Sequence, residues 1–250
     1  MERISKAQIK MVRSLQQKKF RDELGLFVAE GEKCVGELQK NFELVHLYRE
    51  GENASRTEIE QMSGLRAPQG TVGVFKKRLI EDWRLKIEDL VLALDGIQDP
   101  GNLGTIIRTC DWFGVHDIVC SLDTADCYNP KVVQATMGAL ARVRVHYVDL
   151  PAWIEELKIK NYELRIYGTL LEGKNMYEIV ESQKSKVESG IIIMGNEGNG
   201  ISQEVRKLIM HPIRIPSYPR NAETSESLNV SIATAIVLAE FRRSSGSTPA

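Results

Sequence analysis

The sequence lacks paired cysteines: Cys34, Cys110, Cys120 and Cys127 form no CxxC motif, and six or more residues separate each from the next. That spacing speaks against a zinc site or a disulfide frame, so the four read as small buried apolar residues and no metal is expected. A long apolar run is missing as well. The longest, 228–239, is interrupted by Asn229, Ser231 and Thr234 and is too short to span a bilayer, so no membrane role is expected. The first residues have neither the apolar core of a secretory signal nor the serine-rich, acid-poor texture of a transit peptide, which makes cytoplasmic residence the expectation. Basic charge is not in excess either, since 33 Lys and Arg face 34 Asp and Glu for a net charge of -1. What remains is 250 residues with 42% hydrophobic and 27% charged side chains, the bulk of a soluble globular chain rather than a disordered or fibrous one.

The average charge hides a local asymmetry. Residues 1–21 carry Arg3, Lys6, Lys10, Arg13, Lys18, Lys19 and Arg21 against Glu2 alone, a net of +6. With Ile4, Ala7, Met11 and Leu15 as an apolar stripe, this segment reads as one amphipathic helix with a cationic outer face. A solvated surface helix and a nucleic-acid contact both account for such a face.

Downstream, short strand patterns at 26–29, 43–48 and 72–75 alternate with helical ones at 32–40 and 58–62, a small α/β unit. The charge-rich stretch 76–89 has weak periodicity and marks a linker. From Leu90 the texture changes to apolar runs at 90–94, 117–120, 143–148, 164–167, 191–194 and 213–215 separated by helical patterns, which predicts a parallel sheet covered on both faces. In such sheets ligands bind at the carboxyl ends of strands, so the loops after these runs are where chemistry belongs. A polar tail, 244–250, reads as flexible.

Three of those loops are unusual. After 90–94 the chain reads Asp95-Gly-Ile-Gln-Asp-Pro-Gly-Asn-Leu-Gly-Thr-Ile-Ile-Arg-Thr, with a Pro100-Gly101 turn and Asn102 placed to cap a helix. Leu103, Ile107, Cys110 and Gly114 form that helix's apolar stripe, and Arg108 lies one turn beyond Gly104. Arg108 is either a surface residue paired with Asp111 or Asp95, or a substrate contact. After 191–194 comes Gly195-Asn-Glu-Gly-Asn-Gly200-Ile-Ser, whose glycines permit close approach of a ligand. Its G-x-x-G-x-G order reverses the dinucleotide fingerprint and falls late in the chain, so a nicotinamide site is weakly supported. Glu197 here either holds nearby backbone N–H groups or acts on a ligand. The third loop runs from Ile215-Pro216 to Ser227-Leu-Asn-Val-Ser231, with Ser227 as the expected helix cap and Asn229 and Ser231 as capping groups or ligand donors. The helix that follows is apolar on nearly every side, which suits a central position or a subunit interface.

Together, Asn102-x-Gly104-x-x-x-Arg108-Thr109, Gly195-x-Glu197-x-x-Gly200-Ile-Ser, and Ile215-Pro216 with Ser227-Leu-Asn-Val-Ser resemble the three motifs of the SpoU branch of the SPOUT RNA methyltransferases. Tyr128-Asn-Pro-Lys-Val-Val with Met137-Gly-Ala-Leu is similar to the segment between that family's first two motifs, and Phe27-Val-Ala-Glu-Gly31 with Val35 and Leu38 is similar to its L30e-like substrate-binding domain. The one departure is a longer loop between Ile215-Pro216 and Ser227-Leu-Asn, covering 217–226.

The resemblance implies an α/β fold: an L30e-like domain over 1–76, a linker over 77–89, a SPOUT parallel sheet with a deep C-terminal trefoil knot over 90–245, and a tail over 246–250. It implies S-adenosylmethionine as cofactor, held at Thr169, Gly195, Ile215 and Leu228, and a homodimer formed through the knot domain. It also implies methyl transfer to a ribose 2'-hydroxyl of ribosomal or transfer RNA, with Arg108, Asn102, Glu197, Ser227 and Asn229 as the catalytic set and Lys6, Lys10, Lys18 and Lys19 meeting RNA. His46, His116, His146 and His211 lie in or beside predicted strands, so no histidine is available as base. Arg108 is effectively always charged, which suits it to hold a phosphate and a developing alkoxide rather than to remove a proton. Two other classes compete: a non-catalytic RNA-binding protein that uses the knot only to dimerise, and a nucleotide-dependent oxidoreductase.

Overall fold

A computed structural model describes residues 4–78, 89–160, 163–182, 189–219 and 227–244. The chain forms two compact units, one of Met1–Asp82 with Leu103–Arg108 and Asp126–Arg142, the other of Trp83–Asn102, Thr109–Ala125 and Val143–Ala250.

In the first unit the basic segment is not one helix but two, α1 (Lys6–Ser14) and α2 (Lys18–Leu24). A Ser5–Gln8 capping box starts α1, and Gly25 in the left-handed region (φ 64°) ends α2. The break turns the expected stripe: Val12 and Leu15 are fully buried while Ala7 is exposed. There follow β1 (Leu26–Glu30), α3 (Glu32–Leu38), β2 (Leu44–Arg49), α4 (Arg56–Met62) and β3 (Thr71–Lys76). The strands form an antiparallel sheet in the order β1-β3-β2. Val12, Leu15, Val28, Tyr48, Ile59, Met62, Val72 and Val74 make one core between that sheet and the helices α1 and α4. The small α/β unit expected over 26–75 is present.

The second unit carries β4 (Leu90–Asp95), β5 (Asp117–Ser121), β6 (Arg144–Val148), β7 (Ile166–Asn175), β8 (Gly190–Gly195) and β9 (His211–Arg214), all paired in parallel in the order β6-β5-β4-β8-β7-β9. Every residue of β4 and β8 is buried, which is why both read as unbroken apolar runs without alternation. The remaining helices are α5 (Pro100–Trp112), α6 (Pro130–Thr136), α7 (Leu150–Lys160), α8 (Met176–Ser182), α9 (Gln203–Arg206) and α10 (Val230–Ser244). Each of the six predicted runs is found as a strand. The run 164–167 proves longer, because β7 continues through a register shift between Thr169 and Lys174 to pair with β9 a second time. The predicted linker core 79–88, most of the long third loop, 220–226, and the tail 245–250 lie outside the described residues.

Four free cysteines are buried, as their isolated spacing implied. Among the described residues no helix is long and apolar enough to cross a membrane, and no group of three His, Cys, Asp or Glu side chains is placed to hold a metal ion.

Candidate active site

Helix α5 is capped three residues before the expected point. Asp99, not Asn102, is its cap: the Asp99 carboxylate accepts the Asn102 backbone N–H at 2.8 Å and Pro100 fills the first turn. The Asp-Pro pair is a legible signal for such a start, because proline's missing N–H costs nothing there. The side chain of Asn102 is thereby free for other work. Its Nδ2 donates to Glu197 Oε1 at 2.6 Å, and its Oδ1 accepts from Asn229 Nδ2 at 3.0 Å.

Helix α10 shows the same kind of displacement. Ser227 lies outside the helix and Asn229 is its cap, with Asn229 Oδ1 accepting from the N–H groups of Ser231 at 3.0 Å and Ile232 at 3.4 Å and from the Ser231 hydroxyl at 2.6 Å. Three loops distant in sequence are thus tied through one chain of side-chain amides. The direction of that chain is forced by chemistry. An ionised Glu197 has no proton to donate, so it must face the Asn102 NH2; the Asn102 oxygen is then left for the Asn229 NH2, and the Asn229 oxygen for the helix cap.

The loop after β8 is held by a residue the sequence did not single out. Asn196 Oδ1 accepts the N–H groups of Gly198 (2.9 Å) and Asn199 (3.0 Å), its Nδ2 donates to the Gly96 carbonyl (2.7 Å), and its backbone exchanges two 3.0 Å hydrogen bonds with Gly200. Asn196 therefore does the work suggested for Glu197, which leaves Glu197 to Asn102 rather than to the loop's own N–H groups. A Cβ at Gly195 would lie 2.4 Å from backbone atoms of Gly200 and Ile201, so glycine is required by the loop's own fold. Buried Asp95 accepts the Ser202 N–H at 2.7 Å, and Ser121 Oγ accepts the Gly96 N–H at 2.8 Å, joining this loop and the β5 end to the end of β4. An Asx turn is written in Asn196-x-Gly198; the long-range bonds of Asp95 and Ser121 have no local sequence signature.

Arg108 is exposed, and its guanidinium has no partner among the described residues; neither suggested pairing, with Asp111 or with Asp95, is formed. Gly195 closes β8, Ile215 directly follows β9, and Thr169 lies within β7 where its register shift against β9 begins; the three strands neighbour one another in the sheet, and Leu228 is 49% exposed in the third loop. Thr169 Oγ1 donates to the Ile193 carbonyl at 3.2 Å. Burial pushes the Cys110 thiol far above its usual range and that of Cys34 up to about 11, so neither offers a thiolate.

The basic segment is divided. Lys6, Lys10 and Lys19 are exposed, whereas Lys18 is bound to Asp22 at 2.8 Å. Hydrogen bonds from Lys18 and Lys77 hold the Asp22 carboxyl at about 2. Arg21, counted with the cationic face, is 1% exposed and belongs to the interior. A polar hollow of about 780 Å3 within the first unit, between Glu32, Arg49, Glu52 and Gln69, holds none of the predicted site residues, and Arg49 already pairs with Glu32 at 2.7 Å.

A six-stranded parallel sheet with polar loops gathered at the carboxyl ends of its central strands defines an α/β protein of the class whose ligands bind at that edge. Residues 89–239 match the SpoU rRNA Methylase family and residues 6–63 match the MRM3-like substrate binding domain, so the chain belongs to the SpoU rRNA methylase family. Among curated relatives, the 23S rRNA (guanosine(2553)-2'-O)-methyltransferase RlmP of Bacillus subtilis is 35% identical over 61% of this chain and 57% of its own length. The 23S rRNA (guanosine-2'-O-)-methyltransferase RlmB of Bordetella pertussis is 32% identical over 78% of this chain and 80% of its own. The chain thus spans little more than half of the Bacillus subtilis relative. A Sinorhizobium meliloti rRNA methyltransferase crystallised with AdoMet superposes with a TM-score of 0.81 at 31% identity, covering 94% of each chain. A TrmH-family structure from Porphyromonas gingivalis gives a TM-score of 0.83 at 35% identity, over 96% of this chain and 98% of that one.

Proposed function

We propose that this chain transfers a methyl group from S-adenosylmethionine to a ribose 2'-hydroxyl of ribosomal RNA, acting in the cytoplasm as a homodimer. The observation that carries the reading is the hydrogen-bonded chain Glu197–Asn102–Asn229, which draws the three family motifs into one polar cluster. The domain limits 1–76 and 90–245, and the trefoil knot, go with the same reading.

The residues present suit the cofactor. Three adjacent strands, at the β7 register shift, the end of β8 and just past β9, offer backbone donors and acceptors for an adenine edge, Gly195 adds no side chain, and half-exposed Leu228 supplies an apolar surface for a ring face. When bound, S-adenosylmethionine supplies an electrophilic methyl on a sulfonium. The chain's own residues then act on the hydroxyl. Asn102 and Asn229, fixed by Glu197, shape the ribose position, and Ser227, exposed beside Leu228, adds a hydroxyl there. Arg108, charged and with no partner among the described residues, holds the neighbouring phosphate and stabilises the oxygen as its proton passes to solvent water. Lys6, Lys10 and Lys19 offer phosphate contacts, with Lys18 a weaker one because of Asp22. Exposed Trp112 (85%) and Ile232 (52%), both in the second unit, supply apolar surface for a second copy.

The test is incubation of purified chain with methyl-labelled S-adenosylmethionine and unmethylated ribosomal RNA, followed by digestion to nucleosides. Label in a single 2'-O-methyl nucleoside is expected. Tight RNA binding without transfer would support the non-catalytic alternative, and affinity for NAD but not for S-adenosylmethionine would reject the reading.

A further inference from the structure

Arg21 is the largest fully buried side chain of the molecule's described residues, and four hydrogen bonds hold it. Its Nη1 donates to the carbonyls of Leu15 (2.9 Å) and Gln16 (3.0 Å), the groups left open where α1 ends. Its Nε and Nη2 donate to Asp126 Oδ2 at 3.1 and 2.7 Å. Four of the five guanidinium protons are thereby used, and at 1% exposure none of them meets a phosphate.

The pair leads to the helix that carries Arg108. Asp126 Oδ1 accepts the Tyr128 N–H at 2.9 Å, the Tyr128 ring packs against Phe27 at 4.8 Å between centroids, and Asn129 caps α6 by accepting the Lys131 N–H at 3.0 Å. Along α6, the position a Cβ would take on Gly104 lies 2.4 Å from Ala135 Cβ and 2.8 Å from the Val132 carbonyl. The two backbones therefore touch at Gly104, and α5 has no freedom to shift there without α6. Arg108 stands one turn beyond Gly104 on that helix. All of these residues belong to the first compact unit.

We infer that Arg21 is a positioning residue for the reaction: with Asp126 it fixes the 126–136 segment against which the Arg108 helix is seated, so that the basic N-terminal helices and the transfer chemistry share one frame. The inference rests on the methyltransferase reading. The pair is directional through its four hydrogen bonds, while apolar replacements of similar volume can match a buried ion pair's stability, so stability and rate are separable readouts. Coupling of this kind is measured by a double-mutant cycle rather than read from proximity.

The experiment compares Arg21→Met, Asp126→Leu, the double variant and Arg21→Lys with the wild type. The readouts are single-turnover methyl transfer to ribosomal RNA, S-adenosylmethionine affinity, thermal midpoint and the salt dependence of RNA binding. Each single change to an apolar residue is expected to slow transfer about tenfold or more. Cofactor affinity and the slope of log Kd against log salt should stay unchanged. The double variant recovers the thermal midpoint but not the rate, Arg21→Lys recovers part of the rate, and hydrogen exchange of the 103–108 amides quickens in step with the loss. If a single variant does not fold, the double variant carries the comparison. A salt slope reduced by about one would make Arg21 a phosphate contact and overturn the inference. So would a double variant that transfers at the wild-type rate, or rates that follow the folded fraction alone. Failure of the wild type to transfer methyl would overturn the methyltransferase reading itself, and this inference with it.

Discussion

The loop cluster at the ends of β4 and β8 and the basic segment 1–24 treat their polar side chains in opposite ways. In the cluster, Asn102, Glu197 and Asn229 are left at the surface and satisfy one another, so each keeps its direction without being buried. In the basic segment, Lys6, Lys10 and Lys19 face water, Arg13 and Lys18 are tied at the surface to the Ser63 carbonyl and to Asp22, and Arg21, alone among the segment's described cations, has been taken inside. Orientation in the first region comes from amide chemistry; in the second it comes from burial of an ion pair. The difference teaches that a charge count along a helix identifies candidates for RNA contact but not the member that has been withdrawn to hold the frame.

The largest effects should separate the two kinds of region. Removing one member of the buried pair, as in Asp126→Leu, should cost about 3–5 kcal/mol of folding stability by leaving Arg21 charged and unpaired, which denaturant unfolding will read. Arg108→Ala should leave stability within about 0.5 kcal/mol, since it is exposed, and lower methyl transfer about 100-fold or more. Arg108→Lys keeps the charge but loses the planar fork; wild-type turnover in that variant would remove the bidentate role. Asn229→Ala sits between the regions in kind, because it loses a helix cap worth about 1 kcal/mol and a site residue together. Its turnover should fall by more than its cofactor affinity, and the reverse result would make Asn229 a cofactor residue.

Smaller effects sharpen the contrast further. At the amino ends of β5 and β6, Asp117 accepts from Arg144 at 2.7 and 2.6 Å and from His146 at 2.8 Å. Burial alone would raise its carboxyl, but these hydrogen bonds outweigh that and hold it far below the usual range. A depressed carboxyl stabilises the fold above its unfolded value of about 3.9 and loses that contribution as pH falls through the folded value. Asp117→Asn should therefore lower stability at neutral pH and flatten the acid end of the stability profile, with transfer chemistry untouched. Least in size, neutralising Lys6, Lys10 or Lys19 should each reduce the salt slope of RNA binding by up to about one, and Lys18 by less, because Asp22 already compensates it.

Much of the fold was legible because parallel strands buried on both faces leave continuous apolar runs, as in β4 and β8, and all six runs became strands. The three loops were legible from their glycines and amides. Their division of labour was not. Asn102 and Ser227 carry good capping side chains, yet Asp99 and Asn229 are the caps, since Pro100 moves one helix start upstream and Asn229 presents its oxygen one residue before the first turn of the other. Capping preference ranks residue types without fixing which of several candidates wins. Arg21 was misplaced for a different reason: its partner Asp126 lies 105 residues away, a separation no local pattern reports.

The most direct measurement is single-turnover methyl transfer by Asn102→Ala, with S-adenosylmethionine affinity measured alongside, because the Asn102 side chain touches both other loops. Loss of about 100-fold in rate at unchanged cofactor affinity is the result expected of a residue that shapes the ribose position. Transfer at the wild-type rate, or an equal loss in cofactor affinity, would contradict it.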